Sequence, residues 1–295
     1  MLDLVDAHHH LWDLSAVDYP WLRARGVRRF FGDPTPIQCD YTVERLRADA
    51  AGFNLTSSVH IQVGSAPGQE LAETHWLQAC GDREGLPGAI IAAADLTDPQ
   101  LGLALAAQSR YRRLRGVRQI IGREPRDDAR TLCGKALDDP AFAQGLRLLA
   151  GYGLSFDLQL TVPQMAQAAG VFAQVSHLPV ALCHCGSPWD QTRAGLVAWR
   201  TGLAQLARLP NMVCKISGLS MFDPQWERTS FVALARTVLD AFGPHRCLFG
   251  SNFPVDGLQR SYSHIVEATL EAVEPYGPQA REGLFSENAR RFYRL

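Results

Sequence analysis

The stretch VDAHHHLWD, residues 5–13, decides the fold. Its first residues read as a short buried strand and its last as a polar turn. An open doubly wound sheet would carry a Gly-rich phosphate turn after its first strand. Here that turn is HHHLWD, which contains no glycine and offers imidazoles instead. Side chains alternate along a strand, so His8 and His10 share one face and His9 takes the other. Two imidazoles at i and i+2 suit a divalent metal, zinc before others. Alone, an HxH pair is a weak signal. At the end of the first strand of a barrel it is a strong one.

Working outward from that strand, short apolar runs alternate with helical patterns along the whole chain. The strand candidates are residues 2–8, 57–63, 88–96, 115–121, 155–160, 179–185, 212–218 and 246–252. Between them lie patterns such as TVERLRADAAG, QELAETHWLQACG and FVALARTVLDAFG. Several open with Pro and close with Gly, as helix ends should. Eight strands, each followed by a helix, predict an α/β fold, a (β/α)8 TIM barrel in one domain over 1–295. SHIVEATLEAVEPYG would be the eighth barrel helix, and QAREGLFSENARRFYRL an additional C-terminal helix across the barrel. The loop from Trp12 to Pro36, rich in aromatic and basic residues, has the length of a lid.

Composition narrows the function. The 295 residues are 46% hydrophobic, enough for a sizeable core. A formal net charge of -1 leaves no electrostatic footprint for nucleic acid. No apolar run is long enough to span a membrane. The N-terminus lacks a signal-peptide pattern, and the seven cysteines include no CxxC pair. A cytoplasmic protein is the expectation. The partner expected is a small-molecule substrate, with a homo-oligomer left open.

In such barrels the chemistry sits where strands end. The first strand gives His8 and His10. The second gives His60 and Gln62; Gln62 would donate to a substrate carbonyl or plug the barrel interior. The fourth gives Arg118, costly to bury without an anion. It would clamp a substrate carboxylate or pair with an internal Asp. The fifth gives Asp157 and Gln159, the sixth His184, the seventh Lys215 and Ser217, and the eighth Asn252. Alternation sets Cys183 and Cys185 opposite His184, so both thiols are expected in packing.

These pieces together resemble the amidohydrolase superfamily, in its amidohydrolase-related branch. That branch includes sugar-acid lactonases and pyrone-dicarboxylate lactonase. The carriers are VDAHHHLWD, RGVRQI, HCGSP, VCKISGL, LFGSNFPVD and ENARRFYRL, in family order along the whole chain. The resemblance implies a hydrolase that opens a small polar lactone or cyclic ester. It implies one divalent metal, zinc foremost, on His8, His10 and His184, although some relatives turn over without tightly bound metal. Gln62, Arg118, Gln159 and Lys215 become candidate substrate-binding residues, and His184 and Asn252 catalytic ones. A metal-dependent decarboxylase or a ligand-binding barrel with impaired catalysis are the alternatives.

One departure stands out. Most of the superfamily has an Asp at the tip of the last strand, where it takes a proton from the attacking water. Here Asn252 stands there, and an amide cannot take a proton. Another base could serve, His184 or a first-strand His. Asp256, four residues on, could fold back into the pocket. The protein could also have lost turnover. In addition, Asn tolerates left-handed backbone and could simply shape the strand end.

Overall fold

A computed structural model describes residues 2–124 and 133–295. Eight parallel strands run in sequential order: β1 Asp3–His9, β2 Asn54–Ile61, β3 Ala89–Ala93, β4 Leu114–Ile120, β5 Ser155–Gln159, β6 Val180–Leu182, β7 Met212–Ile216 and β8 Cys247–Phe249. The ring closes just past β8. There the Asn252 N–H donates to the His8 carbonyl (2.7 Å) and the His10 N–H to that of Phe253 (2.8 Å). A helix follows each strand, from Val43–Asp49 to Tyr262–Val273. This is the expected (β/α)8 barrel.

Local sequence sets the helix ends. Asp139, Thr192 and Ser261 cap their helices by accepting from Ala141, Gly195 and His264 N–H groups. These side chains satisfy donors that a helix start leaves free. No described helix is long and apolar enough to cross a membrane.

Two apolar clusters hold the barrel. The larger lies between sheet and helices, with Phe142, Phe156, Phe172, Trp199 and Phe249 fully buried. The smaller fills the barrel itself. Val5, Ala7, Val59, Ile61, Ala89, Ile91, Ala181 and Leu248 meet Ala289 and Tyr293 of the C-terminal segment. That segment runs Pro278–Glu282, then a π-helical turn Gly283–Glu287, then Asn288–Tyr293. It plugs one end of the barrel, so any cavity must open at the other. Cys39, Cys80, Cys183, Cys185, Cys214 and Cys247 are free thiols. The side chain of Cys133 lies outside the described residues.

Candidate active site

The C-terminal strand ends surround a cavity of about 290 Å³. His10, Arg118, Gln159, His184 and Asn252 line it, each from a different strand end. The loop after β1 forms its mouth with Trp12, Trp21, Arg28, Arg29, Phe30 and Phe31. Trp21 is pinned there by its indole N–H on the Val63 carbonyl (2.9 Å).

β1 does not keep strict alternation. Its pairing with β2 shifts between Asp6 and His9, a bulge of the kind that re-aims side chains. Asp6 turns to the Ser251 N–H (2.9 Å) and the Tyr262 hydroxyl (3.1 Å). Burial pushes its carboxyl up to about 6. His9 packs edge-on against His60, ring centroids 6.1 Å apart. The His8 ring stands 4.3 Å from that of His184 and 5.3 Å from that of His10.

The three imidazoles have the chemistry a metal needs, although their nitrogens are not a set that gathers within 4.8 Å of one another. Burial holds His10 down at about 3, with Arg118 adding to the effect. Burial likewise drives His8 and His184 well below the usual range. Neutral imidazole is the form that ligates. The His10 Nδ1–H donates to the Ile61 carbonyl (2.8 Å), and His184 Nδ1 pairs with the Ser217 hydroxyl (3.1 Å). Such contacts orient ligating rings and leave Nε2 for the ion. Neither ring nitrogen of His8 has a partner among the described residues.

His184 reaches this position by an unusual turn. β6 stops at Leu182, and His184, Cys185, Gly186 and Ser187 all take positive φ, between 53° and 68°. Non-glycine residues rarely adopt this region, and those that do cluster at functional sites. The turn overturns the expectation that Cys183 sits opposite His184. A Cys183 sulfur, a His8 nitrogen and an Asp157 oxygen lie within 4.8 Å of one another. This second donor set shares His8, but its other members are engaged. Asp157 holds the Lys215 ammonium (2.5 Å) and the Tyr293 hydroxyl (3.0 Å). Burial, with Asp157 beside it, pushes the Cys183 thiol up to about 12, whereas ligation needs a thiolate. Cys185 does pack as expected, in the outer core.

Arg118 is 5% exposed. It donates to the Gln62 carbonyl (2.5 Å) and the Gln159 side-chain oxygen (3.2 Å). Among the described residues no carboxylate bonds to it; the internal Asp157 is taken by Lys215 instead. Gln62 and Lys215 do not line the cavity. Gln62 meets Arg118 through its backbone, and its Oε1 is buried without a partner. Lys215 is fully buried, held by Asp157 and by the Ala7 carbonyl (2.7 Å).

Asn252 lines the cavity at φ 56°. Asp256 does fold back, its N–H on the Asn252 carbonyl (3.1 Å). It comes to rest behind the amide, accepting from Asn252 Nδ2 at 2.7 Å, and is not part of the cavity wall. Burial pushes its carboxyl up to about 7. Two glycines make room for the rings. A Cβ on Gly218 would lie 2.2 Å from His184 Nδ1, and one on Gly250 would lie 2.6 Å from the His8 Cβ.

Known proteins share this architecture and sequence. A family model described as amidohydrolase matches residues 5–295. An uncharacterized protein of Sinorhizobium fredii is 36% identical, over 99% of this chain and 98% of its own. An L-fucono-1,5-lactonase of Burkholderia multivorans is 30% identical, over 99% of this chain and 96% of its own. A crystal structure of an amidohydrolase from Burkholderia multivorans with bound zinc superposes at a TM-score of 0.83, with 27% identity and all of both chains covered. A match that runs from the first strand to the last residue, on a barrel with histidines at its strand ends, places this chain in the amidohydrolase family.

Proposed function

We propose that this amidohydrolase-family protein opens a small lactone that carries a carboxylate, a lactone of a sugar acid or of an aromatic-catabolism acid. The observation that carries the reading is Arg118. It is a buried guanidinium with only neutral partners among the described residues, set in the same cavity as His10, His184 and Asn252. A buried cation without a counter-ion is costly. A substrate carboxylate would supply the missing charge and match the planar fork. Gln159, bonded to Arg118, would hold the same end of the substrate. The lactonase relative at 30% identity supports the reaction class.

His8, His10 and His184 would hold a divalent metal, zinc first. When bound, it supplies Lewis acidity and lowers the pKa of water at the site. Asn252 would accept a hydrogen bond from the attacking water and orient it. Arg118 would fix the substrate so that its ring carbonyl faces that water. The aromatic loop at the mouth would limit bulk water around the reacting carbonyl. A lactone suits a site without a carboxylate base, because its carbonyl is electrophilic and its leaving oxygen stays tethered.

The test is a panel of neutral and carboxylated lactones with wild type and Arg118→Met. Carboxylated members should be preferred. The variant should stay folded and lose about 2–4 kcal/mol in kcat/KM, as expected for a charge-assisted pair at a desolvated site. A folded variant with unchanged kcat/KM on every substrate would rule out the clamp.

A further inference from the structure

We propose that Asp256, backed by Ser220 and Trp226, locks the Asn252 amide with its oxygen toward the cavity. Asp256 is then a positioning residue. The inference rests on the reading above only in taking the cavity as the reaction site.

Its direction follows from donor inventory. An indole N–H can only donate. Trp226 Nε1 donates to the Ser220 hydroxyl oxygen at 2.9 Å. That leaves the Ser220 hydroxyl its own proton to give, and Ser220 is among the groups that hold the Asp256 pKa down. Asn252 Nδ2 donates to Asp256 Oδ1 at 2.7 Å. Asp256 thus receives donors from Ser220 and Asn252, and both favour the carboxylate. Above about pH 7, where Asp256 is ionised, it accepts only, so the amide cannot turn its oxygen that way. One of the two amide N–H groups is thus engaged behind the site. The amide oxygen is left for the cavity side, which Asn252 lines together with His10.

The consequence is chemical. A free amide could present either a donor or an acceptor to the reaction. Ser220, Asp256 and Asn252 are all buried, at 0%, 1% and 1% exposure, so water does not compete for the lock. Asn252 is thereby made an acceptor, the part of a carboxylate's role that an amide can keep.

The experiment uses Ser220→Ala and Asp256→Asn in the full chain, with Ser220→Thr as the conservative control. An Asn at 256 can donate to the Asn252 oxygen and let the amide turn over. Two readouts are taken. One is hydrogen exchange of the Asn252 side-chain NH2 by NMR, with its signal assigned through Asn252→Asp. The other is kcat against KM on the lactone panel. Locking predicts a slowly exchanging NH2 in wild type and faster exchange in Asp256→Asn. It predicts a 10–100-fold loss of kcat with KM little changed, the usual cost of losing an outer-sphere partner. Ser220→Thr should stay near wild type, and Ser220→Ala should fall between. Unchanged exchange and unchanged kcat in both Ala and Asn variants would overturn the lock. If wild type opens no lactone, the functional reading fails, while the exchange measurement still decides the orientation.

Discussion

At position 252 an Asp looks like the simple repair, since a positioned general base contributes about 10²–10⁴-fold. The neighbour changes the expectation. Asn252 Nδ2 stands 2.7 Å from Asp256 Oδ1, so Asn252→Asp would set two carboxylates in hydrogen-bond contact. Such pairs share one proton, and one of them titrates late. The single variant should gain little at neutral pH and show its acidic limb displaced upward. Pairing Asn252→Asp with Asp256→Asn separates the charges and keeps a donor at 256. We predict that the double variant opens lactones faster than either single, by at least tenfold over Asp256→Asn. The check is a double-mutant cycle of kcat across pH 5–9. Additive effects of the two substitutions would mean that the pair does not act as a unit.

At the scale of elements, strand placement was legible in the sequence because buried parallel strands are short apolar runs bounded by turn residues. All eight strands lie where those runs fall. His10, Arg118, Gln159, His184 and Asn252 were legible as strand ends. What the sequence hid was local geometry that departs from strict alternation. The bulge in β1 and the left-handed turn after β6 leave no periodic trace, so the turn of Asp6 went unread and the side taken by Cys183 was misjudged. Glycines carried part of that information. Gly218, at φ 67°, leaves the space that the His184 ring fills. Gly218→Ala should cost about 1–2 kcal/mol of stability from the backbone alone. It should also push His184 off its Ser217 partner and weaken zinc binding roughly 10–100-fold. Denaturant unfolding of apo-protein and zinc titration measure the two effects separately. Wild-type zinc affinity in this variant would remove His184 from the metal set.

The whole molecule holds an unusual load of buried titratable groups, and their signs predict its response to acid. Burial holds His9 and His10 down at about 3, and drives His8, His60 and His184 well below 6.5. A depressed His contributes stability that is present above 6.5 and lost as pH falls toward its folded value. Burial acts oppositely on acids. Asp6 is raised to about 6, and Glu73 and Asp256 to about 7. Their contribution is present at low pH and is lost as pH rises through 6 to 7. Between pH 4.5 and 6 the five depressed imidazoles outnumber the three raised acids, so unfolding takes up protons on balance. Stability should then climb with pH in that window, by about 1.4 kcal/mol per pH unit for each proton taken up. Above 6.5 the imidazoles fall silent and the acids bring a shallow decline, so the optimum lies near pH 6–6.5. Bound zinc would steepen the acid side, because it too requires neutral rings. The measurement is the denaturation midpoint of chelator-treated protein from pH 4.5 to 8. A midpoint that falls as pH rises from 4.5 to 6 would mean that the rings carry charge in the folded protein. The reading of His8, His10 and His184 as neutral ligands would then fall with it.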